Sequence, residues 1–162
     1  MPRPSKARAR KPLLSTRDSL FYQLWVVTNL TARPFGVSFG KRLHINLTDW
    51  RILLTVADAP GTSAQALAEY CGLDKMSVSR AVCNLEAQGR LVREGSESDR
   101  RMRHLYLTEA GWSIYNAIVV SAMAREAELF KALTAAELRR FQALLLKVST
   151  QARMGTSPPG PS

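Results

Sequence analysis

The segment AQALAEYCGLDKMSVSRAVCNL, residues 64–85, decides the fold. Leu67 and Ala68 give its first part an inward apolar face, and Gly72 stands where a tight turn needs positive φ. Asp74 is a good N-cap for the next helix. The inward stripe of that helix consists of Val78, Ala81, Val82 and Leu85. A small residue, a glycine and aliphatic residues at these spacings predict a helix-turn-helix.

The outward face of the second helix carries short hydrogen-bonding side chains and cations. An ordinary solvated face would more often carry Glu, which is absent from residues 75–85. In a DNA major groove, Ser and Arg reach base edges and Lys reaches phosphates. We therefore predict DNA contact for Lys75, Met76, Ser77, Ser79, Arg80 and Asn84.

A β-hairpin is predicted directly after this helix, with strands RLVREG at 90–95 and HLYL at 104–107. A hairpin in this position is a wing, whose arginines are attracted to the potential of a neighbouring minor groove. Asp99 can hold the Arg101 side chain extended before insertion. The alternative is a surface ion pair, worth about 0–1 kcal/mol. The predicted wing contacts are Asp99, Arg100, Arg101 and Arg103.

Amphipathic helical patterns flank this central part of the chain. Ser15-x-x-Asp18 predicts the start of the first long helix, and Thr134-Ala-Ala-Glu137 is a capping box for the last. The long patterned helices can bury their stripes against a second copy or against their own core. We favour a dimer, because the middle of the chain is too short to cover both.

The boundaries predicted from these patterns divide the chain into five parts. They are a disordered basic arm at 1–12, an N-terminal helical dimerisation region at 13–46, a winged helix-turn-helix at 47–108, C-terminal dimerisation helices at 109–152, and a disordered tail at 153–162.

Composition limits the class of protein. The 162 residues carry a net charge of +10, which indicates a polyanionic partner, either nucleic acid or an anionic membrane surface. No apolar run approaches the roughly 18 residues of a membrane span, and no secretory signal is recognised. Cys71 and Cys83 fit no CxxC pattern, which favours free thiols in a reducing cytoplasm.

The chain resembles the MarR family (multiple antibiotic resistance regulators). The matching segments are LTDWRIL at 47–53, the helix-turn-helix with LEAQGRLVRE, and DRRMRHLYLTEAG at 99–111. The resemblance implies a mainly α fold with a small two-stranded β wing, flanked by N- and C-terminal dimerisation helices. It also implies a dimeric repressor in which Asp99 and Arg101 form the wing-tip pair. Such a dimer would bind an inverted repeat with half-sites about 10–10.5 bp apart, one helical turn.

Regulators of this family are often released from DNA by small aromatic acids that bind between the dimerisation helices and the winged helix. By this resemblance we expect an aromatic carboxylate effector, a hydroxylated benzoate or a pyridine carboxylate. The pocket residues expected for it are Tyr22, Trp25, Asn29, Phe35, His44, Trp50, Arg51 and Trp112. Aromatic residues at helical spacing are also typical of an ordinary core.

Enzyme motifs such as a P-loop, G-x-S-x-G and H-E-x-x-H are absent from the sequence, and we expect no catalytic residue, metal or other cofactor. His44 and His104 have no partners at metal-ligand spacing, and His104 is expected to face solvent or phosphate. Two alternatives to a ligand-released repressor remain open. One is a thiol-based sensor that uses Cys83, near Arg80. The other is an architectural protein that binds DNA without sequence preference.

Overall fold

The computed structural model describes residues 13–35, 39–95 and 103–155. Within these ranges the chain is mainly helical with one two-stranded sheet, which confirms the predicted fold class. The elements in chain order are α1 (Leu20–Phe35), α2 (Lys41–Leu43), α3 (Leu47–Asp58), α4 (Ala64–Cys71), α5 (Lys75–Ala87), β1 (Leu91–Gly95), β2 (Arg103–Leu107), α6 (Glu109–Phe130) and α7 (Ala135–Gly155).

The helix-turn-helix consists of α4 and α5. Gly72 ends α4 with φ 63°, the left-handed conformation that the sequence predicts. Asp74 begins α5, and its carboxylate accepts a hydrogen bond from the Ser77 backbone N–H at 2.8 Å. Both sequence signals of the turn are therefore confirmed.

The first helix begins later than the sequence indicates. Residues 15–19 form a turn, in which the Ser19 backbone N–H donates to the Ser15 carbonyl. The Ser19 hydroxyl accepts from the Tyr22 backbone N–H at 3.2 Å, so Ser19 rather than Ser15 is the N-cap. At the other end of the chain, α7 continues to Gly155, three residues beyond the predicted boundary at 152.

The two strands pair antiparallel, with Leu91 opposite Leu107 and Gly95 opposite Arg103. A bridge between Thr62 and Leu105 joins β2 to the loop that precedes α4. Leu105 is fully buried, and it anchors the hairpin to the helices.

The chain divides into two compact units, with the boundary between Tyr115 and Asn116. The core of the first unit is built from α3, α4, α5 and the hairpin. Its fully buried side chains include Ile52, Leu53, Val56, Leu67, Val78, Val82, Leu85 and Leu105. This core fixes the position of α5, because the inward stripe of α5 is part of it.

In the second unit, the rings of Phe130 and Phe141 lie 6.0 Å apart. No residue of α7 is buried, although Leu138, Leu144 and Leu145 are apolar. Among the described helices, none combines the length and apolar character that a membrane span needs.

Candidate nucleic-acid interface

The exposed face of α5 carries most of the side chains predicted to contact DNA. Lys75, Met76, Ser79 and Arg80 are exposed, whereas Ser77 is half-buried. Met76 keeps 66% of its surface, which is unusual for a large apolar side chain. The inward stripe faces the core, so the hydrogen-bonding and cationic side chains project together from one rigid helix.

Asn84 also lies on α5, but its amide already has two partners. Its Nδ2 donates to Asp49 Oδ2 at 3.2 Å, and its Oδ1 accepts from Gln88 Nε2 at 3.1 Å. In this arrangement Asn84 ties α5 to the first turn of α3.

The first turn of α3 contains Asp49, a polar residue that the sequence reasoning missed. Asn46 and Asp49 form a capping box: the Asn46 side chain accepts from the Asp49 N–H, and Asp49 Oδ2 accepts from the Asn46 N–H at 3.0 Å. Asp49 is 1% exposed, and burial raises the pKa of its carboxyl although hydrogen bonds and Arg90 oppose the shift. The pattern Asn-x-x-Asp just before an apolar stretch was the available signal.

Asp49 lies at the edge of a groove of about 340 Å³ between α3 and α5. Six other residues line it: Asn46, Thr48, Ser77, Arg80, Ala81 and Asn84. All the lining residues except Ala81 are polar, and the groove joins the first turn of α3 to the exposed face of α5.

The wing begins at the end of α5. Arg103 is exposed on β2, opposite Gly95. The other predicted wing residues, Asp99, Arg100 and Arg101, lie outside the described residues. Arg93 on β1 forms an ion pair with Glu86 at 2.9 Å.

Cys83 is exposed on α5, and the cation that contacts it is not the expected Arg80. Arg93 Nη2 lies 3.5 Å from its Sγ. Strand β1 returns along α5 and brings Arg93 to this position, which helical spacing alone does not indicate.

His104, expected to face solvent or phosphate, also makes a contact within the chain. Its Nδ1 lies 2.6 Å from the Gly61 carbonyl oxygen, and the residue is half-buried. Gly61 lies in the turn before α4, so this hydrogen bond adds to the bridge between Thr62 and Leu105. His104 therefore holds the wing against the helix-turn-helix.

The Leu-Thr-Glu-Ala-Gly motif after β2 has a packing function. The Thr108 hydroxyl donates to the Gly89 carbonyl at 2.6 Å and accepts from the Gly111 N–H at 3.1 Å. A Cβ on Gly111 would lie only 2.1 Å from the Arg90 carbonyl oxygen. The start of α6 thus packs directly on the backbone between α5 and β1.

The structure brings together some of the residues expected to line an effector pocket. The rings of Phe35 and Trp50 lie 6.2 Å apart. Tyr115, which sequence reasoning did not select, lies 5.9 Å from Trp50 and 5.4 Å from Trp112. Arg51 is half-buried on α3. The remaining expected residues, Tyr22, Trp25, Asn29 and His44, are exposed.

A cavity of about 350 Å³ adjoins this aromatic cluster. Its lining consists of Leu54, Thr55, Ala57, Asp58, Tyr70 and Tyr115. The volume suits a small ligand. The lining contains the carboxylate of Asp58 and no cation, so an aromatic acid in this cavity would have to keep its carboxylate away from Asp58.

A model described as the MarR family matches residues 45–102, which contain the helix-turn-helix and the first strand of the wing. A protein of Thauera aromatica, named as a candidate transcriptional regulatory protein for the hcr operon, is 31% identical over 100 residues. That match covers 62% of this chain and 60% of the relative.

Similar solved structures cover most of the described elements. A MarR/EmrR family transcriptional regulator from Acinetobacter sp. ADP1 is 26% identical, with a TM-score of 0.79 over 87% of this chain and 99% of that chain. A candidate MarR family regulator from Listeria monocytogenes, complexed with 26mer DNA, is 20% identical, with a TM-score of 0.80 over 85% of this chain and 91% of that chain.

The family match includes the capping box of α3, the helix-turn-helix and the first wing strand, and the structural likeness extends to the flanking helices. This family consists of transcription regulators, not enzymes. Over residues 45–102 the chain is similar to the MarR family.

Proposed function

We propose that the chain is a sequence-specific DNA-binding transcriptional repressor. The observation that carries this proposal is the exposed face of α5, where Lys75, Ser79 and Arg80 project from a helix whose other face is buried. Such a face suits a major groove, in which Arg and Ser bind base edges and Lys binds phosphate. The Listeria monocytogenes relative in complex with DNA supports the same assignment by analogy of fold.

The repressor acts as a homodimer on a palindromic operator. The terminal helices support this, because α1 exposes Leu20, Phe21 and Trp25, and α7 exposes Leu144 and Leu146. Exposed apolar side chains along two long helices favour burial against a second copy. Two α5 helices would then enter half-sites about 10–10.5 bp apart.

A small aromatic carboxylate releases the repressor from DNA. The aromatic cluster of Phe35, Trp50, Trp112 and Tyr115 supports this part of the proposal, because neighbouring aromatic rings provide apolar walls for a flat ligand. A relative from Streptomyces coelicolor, PcaV, was solved with its natural ligand, which supports a ligand site in this fold. A ligand that changes the spacing of the two α5 helices would favour a state that no longer fits the repeat.

The net charge of +10 suits a protein that works among polyanions. We place it at the nucleoid in the bacterial cytoplasm.

A thiol-based sensor of the same fold is the second function that an observation favours. Arg93 lies 3.5 Å from the Cys83 sulfur, on the face of α5 proposed to bind DNA. A neighbouring cation stabilises a thiolate, and oxidation there would disturb the interface. If peroxide releases the protein and Cys83→Ser does not abolish that release, the thiol-sensor function is wrong.

A gel-shift titration on the promoter region of its own gene tests the proposal. The competitor is a random duplex, and a panel of aromatic acids follows, with the matching aromatic amines as controls. We expect a discrete complex that survives competitor and is dissociated by an acid. A complex that competitor removes would contradict sequence specificity and favour an architectural protein.

A further inference from the structure

Asp49 has one satisfied and one unsatisfied carboxyl oxygen. Its Oδ2 accepts from the Asn46 backbone N–H at 3.0 Å and from Asn84 Nδ2 at 3.2 Å. Its Oδ1 is buried, and no hydrogen-bond partner for it exists among the described residues. The side chain is 1% exposed and lines the groove between α3 and α5. An unsatisfied buried oxygen at the wall of a groove points to a group that binds there.

Most other groups around this groove favour an anion. Arg80 and the hydroxyl-bearing Thr48 and Ser77 line it, and all three are hydrogen-bond donors. The groove also lies at the N-terminus of α3, a helix of 12 residues. The first turn of a helix presents backbone N–H groups without intrahelical partners, and the helix dipole attracts negative charge there.

A charged Asp49 would repel such an anion, whereas a neutral one would bind it. With a proton on Oδ1, the carboxyl becomes a hydrogen-bond donor at the wall of the groove while Oδ2 keeps both its bonds. An anion with several acceptor oxygens then satisfies Asp49, Thr48, Ser77 and Arg80 together. The anion that a DNA-binding face meets is the phosphodiester.

We propose that the groove between the first turn of α3 and α5 holds a phosphodiester of the DNA backbone, which accepts a hydrogen bond from a protonated Asp49. This inference rests on the proposed function, because it needs α5 in the major groove. It assigns Asp49 as a backbone-contacting residue and Asn84 as the residue that positions it.

The electrostatics agree with the geometry. Burial raises the pKa of Asp49 before any DNA is bound. The charged groups that face it are Arg80 on α5 and Arg90 after that helix. A bound phosphodiester adds a negative charge and raises the pKa of Asp49 further. Binding therefore takes up a proton, and DNA affinity falls as the pH rises through the pKa values of the free and bound states.

The test measures affinity for the promoter duplex of its own gene by fluorescence anisotropy, from about pH 5 to about pH 8 at constant ionic strength. Asp49→Asn keeps the acceptor for Asn46 and Asn84 and places a permanent NH₂ donor at the Oδ1 position. Asp58→Asn, at the other end of α3, is the matched control because it changes the net charge equally. His44 and His104 are the same in all three proteins, so the proteins differ only in the substituted carboxyl.

We expect wild-type affinity to fall with pH by up to about tenfold per pH unit for each proton taken up. The affinity of Asp58→Asn should fall with rising pH as that of the wild type does. The affinity of Asp49→Asn should lack this fall, so this variant should bind DNA more tightly than the wild type at high pH. Parallel pH profiles for Asp49→Asn and the wild type would overturn the inference.

Calorimetry in buffers of different ionisation enthalpy measures proton uptake by the wild type without the Asp49→Asn variant. Net proton uptake when the wild type binds DNA, with the same uptake in Asp58→Asn, supports the inference. Binding without proton uptake across the pH range overturns it, whether or not Asp49→Asn folds. If the wild type binds no duplex at any pH, the proposed function itself is wrong. Failure of the function is thus distinguishable from failure of the phosphate site.

Discussion

Asn84 on α5 donates a hydrogen bond to Asp49 on α3 over 3.2 Å, between residues 35 positions apart in the chain. The bond joins a helix predicted to contact DNA to the buried first turn of its neighbour. Asn84 was expected to contact DNA, and in the structure its amide holds Asp49 and accepts from Gln88. The orientation of α5 therefore depends on a polar contact as well as on its apolar stripe.

We predict that Asn84→Ala lowers the free energy of unfolding by about 1–3 kcal/mol, because the Asp49 carboxyl loses a hydrogen bond where it is buried. Chemical denaturation measures this change. Ser79→Ala, on the exposed side of the same helix, should change stability by less than about 0.5 kcal/mol. Equal stabilities of the two variants would show that the contact between Asn84 and Asp49 contributes nothing.

Gly111 should tolerate no side chain. A Cβ there would meet the Arg90 carbonyl oxygen at 2.1 Å, so Gly111→Ala must displace backbone and should cost about 1–3 kcal/mol or more. Gly155→Ala is the control, since nothing lies within 4 Å of its added Cβ. Thermal unfolding followed by circular dichroism compares them; an unchanged midpoint for Gly111→Ala would contradict the close packing.

The cap of α5 should contribute to stability only above strongly acidic pH. Hydrogen bonds from Ser77 lower the pKa of Asp74 below its usual value. A carboxyl with a lowered folded-state pKa stabilises fully above the unfolded pKa of about 3.9 and loses its contribution as the pH falls through the folded value. Asp74→Asn keeps a capping oxygen without this titration. The free energy of unfolding of Asp74→Asn should therefore fall less steeply on acidification than that of the wild type. The same fall in both proteins would contradict a contribution of the charged Asp74 cap to stability.

Arg101→Ala should weaken operator affinity by about tenfold, equivalent to about 1.4 kcal/mol, if this wing residue enters a minor groove. The fold should stay intact, as judged by circular dichroism and dimer mass. Lys131→Ala, just after α6, is a control that removes the same charge outside the winged helix. Unchanged operator affinity in a folded Arg101→Ala dimer would exclude the wing contact.

Deleting residues 1–11 removes five basic residues, Arg3, Lys6, Arg8, Arg10 and Lys11. If they contact phosphates, non-specific affinity should fall and the slope of log K against log salt should flatten by about 0.9 for each lost contact. Titrations of a random duplex at several salt concentrations measure this slope. The same slope in the full chain and the deletion would mean that the arm does not touch DNA.

Local patterns in the sequence were sufficient for the helix-turn-helix. The left-handed Gly72, the cap at Asp74 and the buried stripe of α5 depend on residues within about four positions of one another, where helix geometry alone sets the distances. The capping box of Thr134 and Glu137 was predictable for the same reason, with the Glu137 carboxylate 2.8 Å from the Thr134 N–H. The start of α1 was predicted at Ser15, whereas the hydroxyl that accepts from the first turn is that of Ser19.

The sequence by itself therefore determined the fold class, the outward face of α5 and the family resemblance. Only the tertiary structure decided which residues meet across elements: Asp49 with Asn84, His104 with Gly61, and Tyr115 with Trp50. These pairs depend on how helices and strands cross, and the crossing is set by side-chain packing over the whole core. Periodicity places a residue on a face of its own helix, and packing determines what that face contacts.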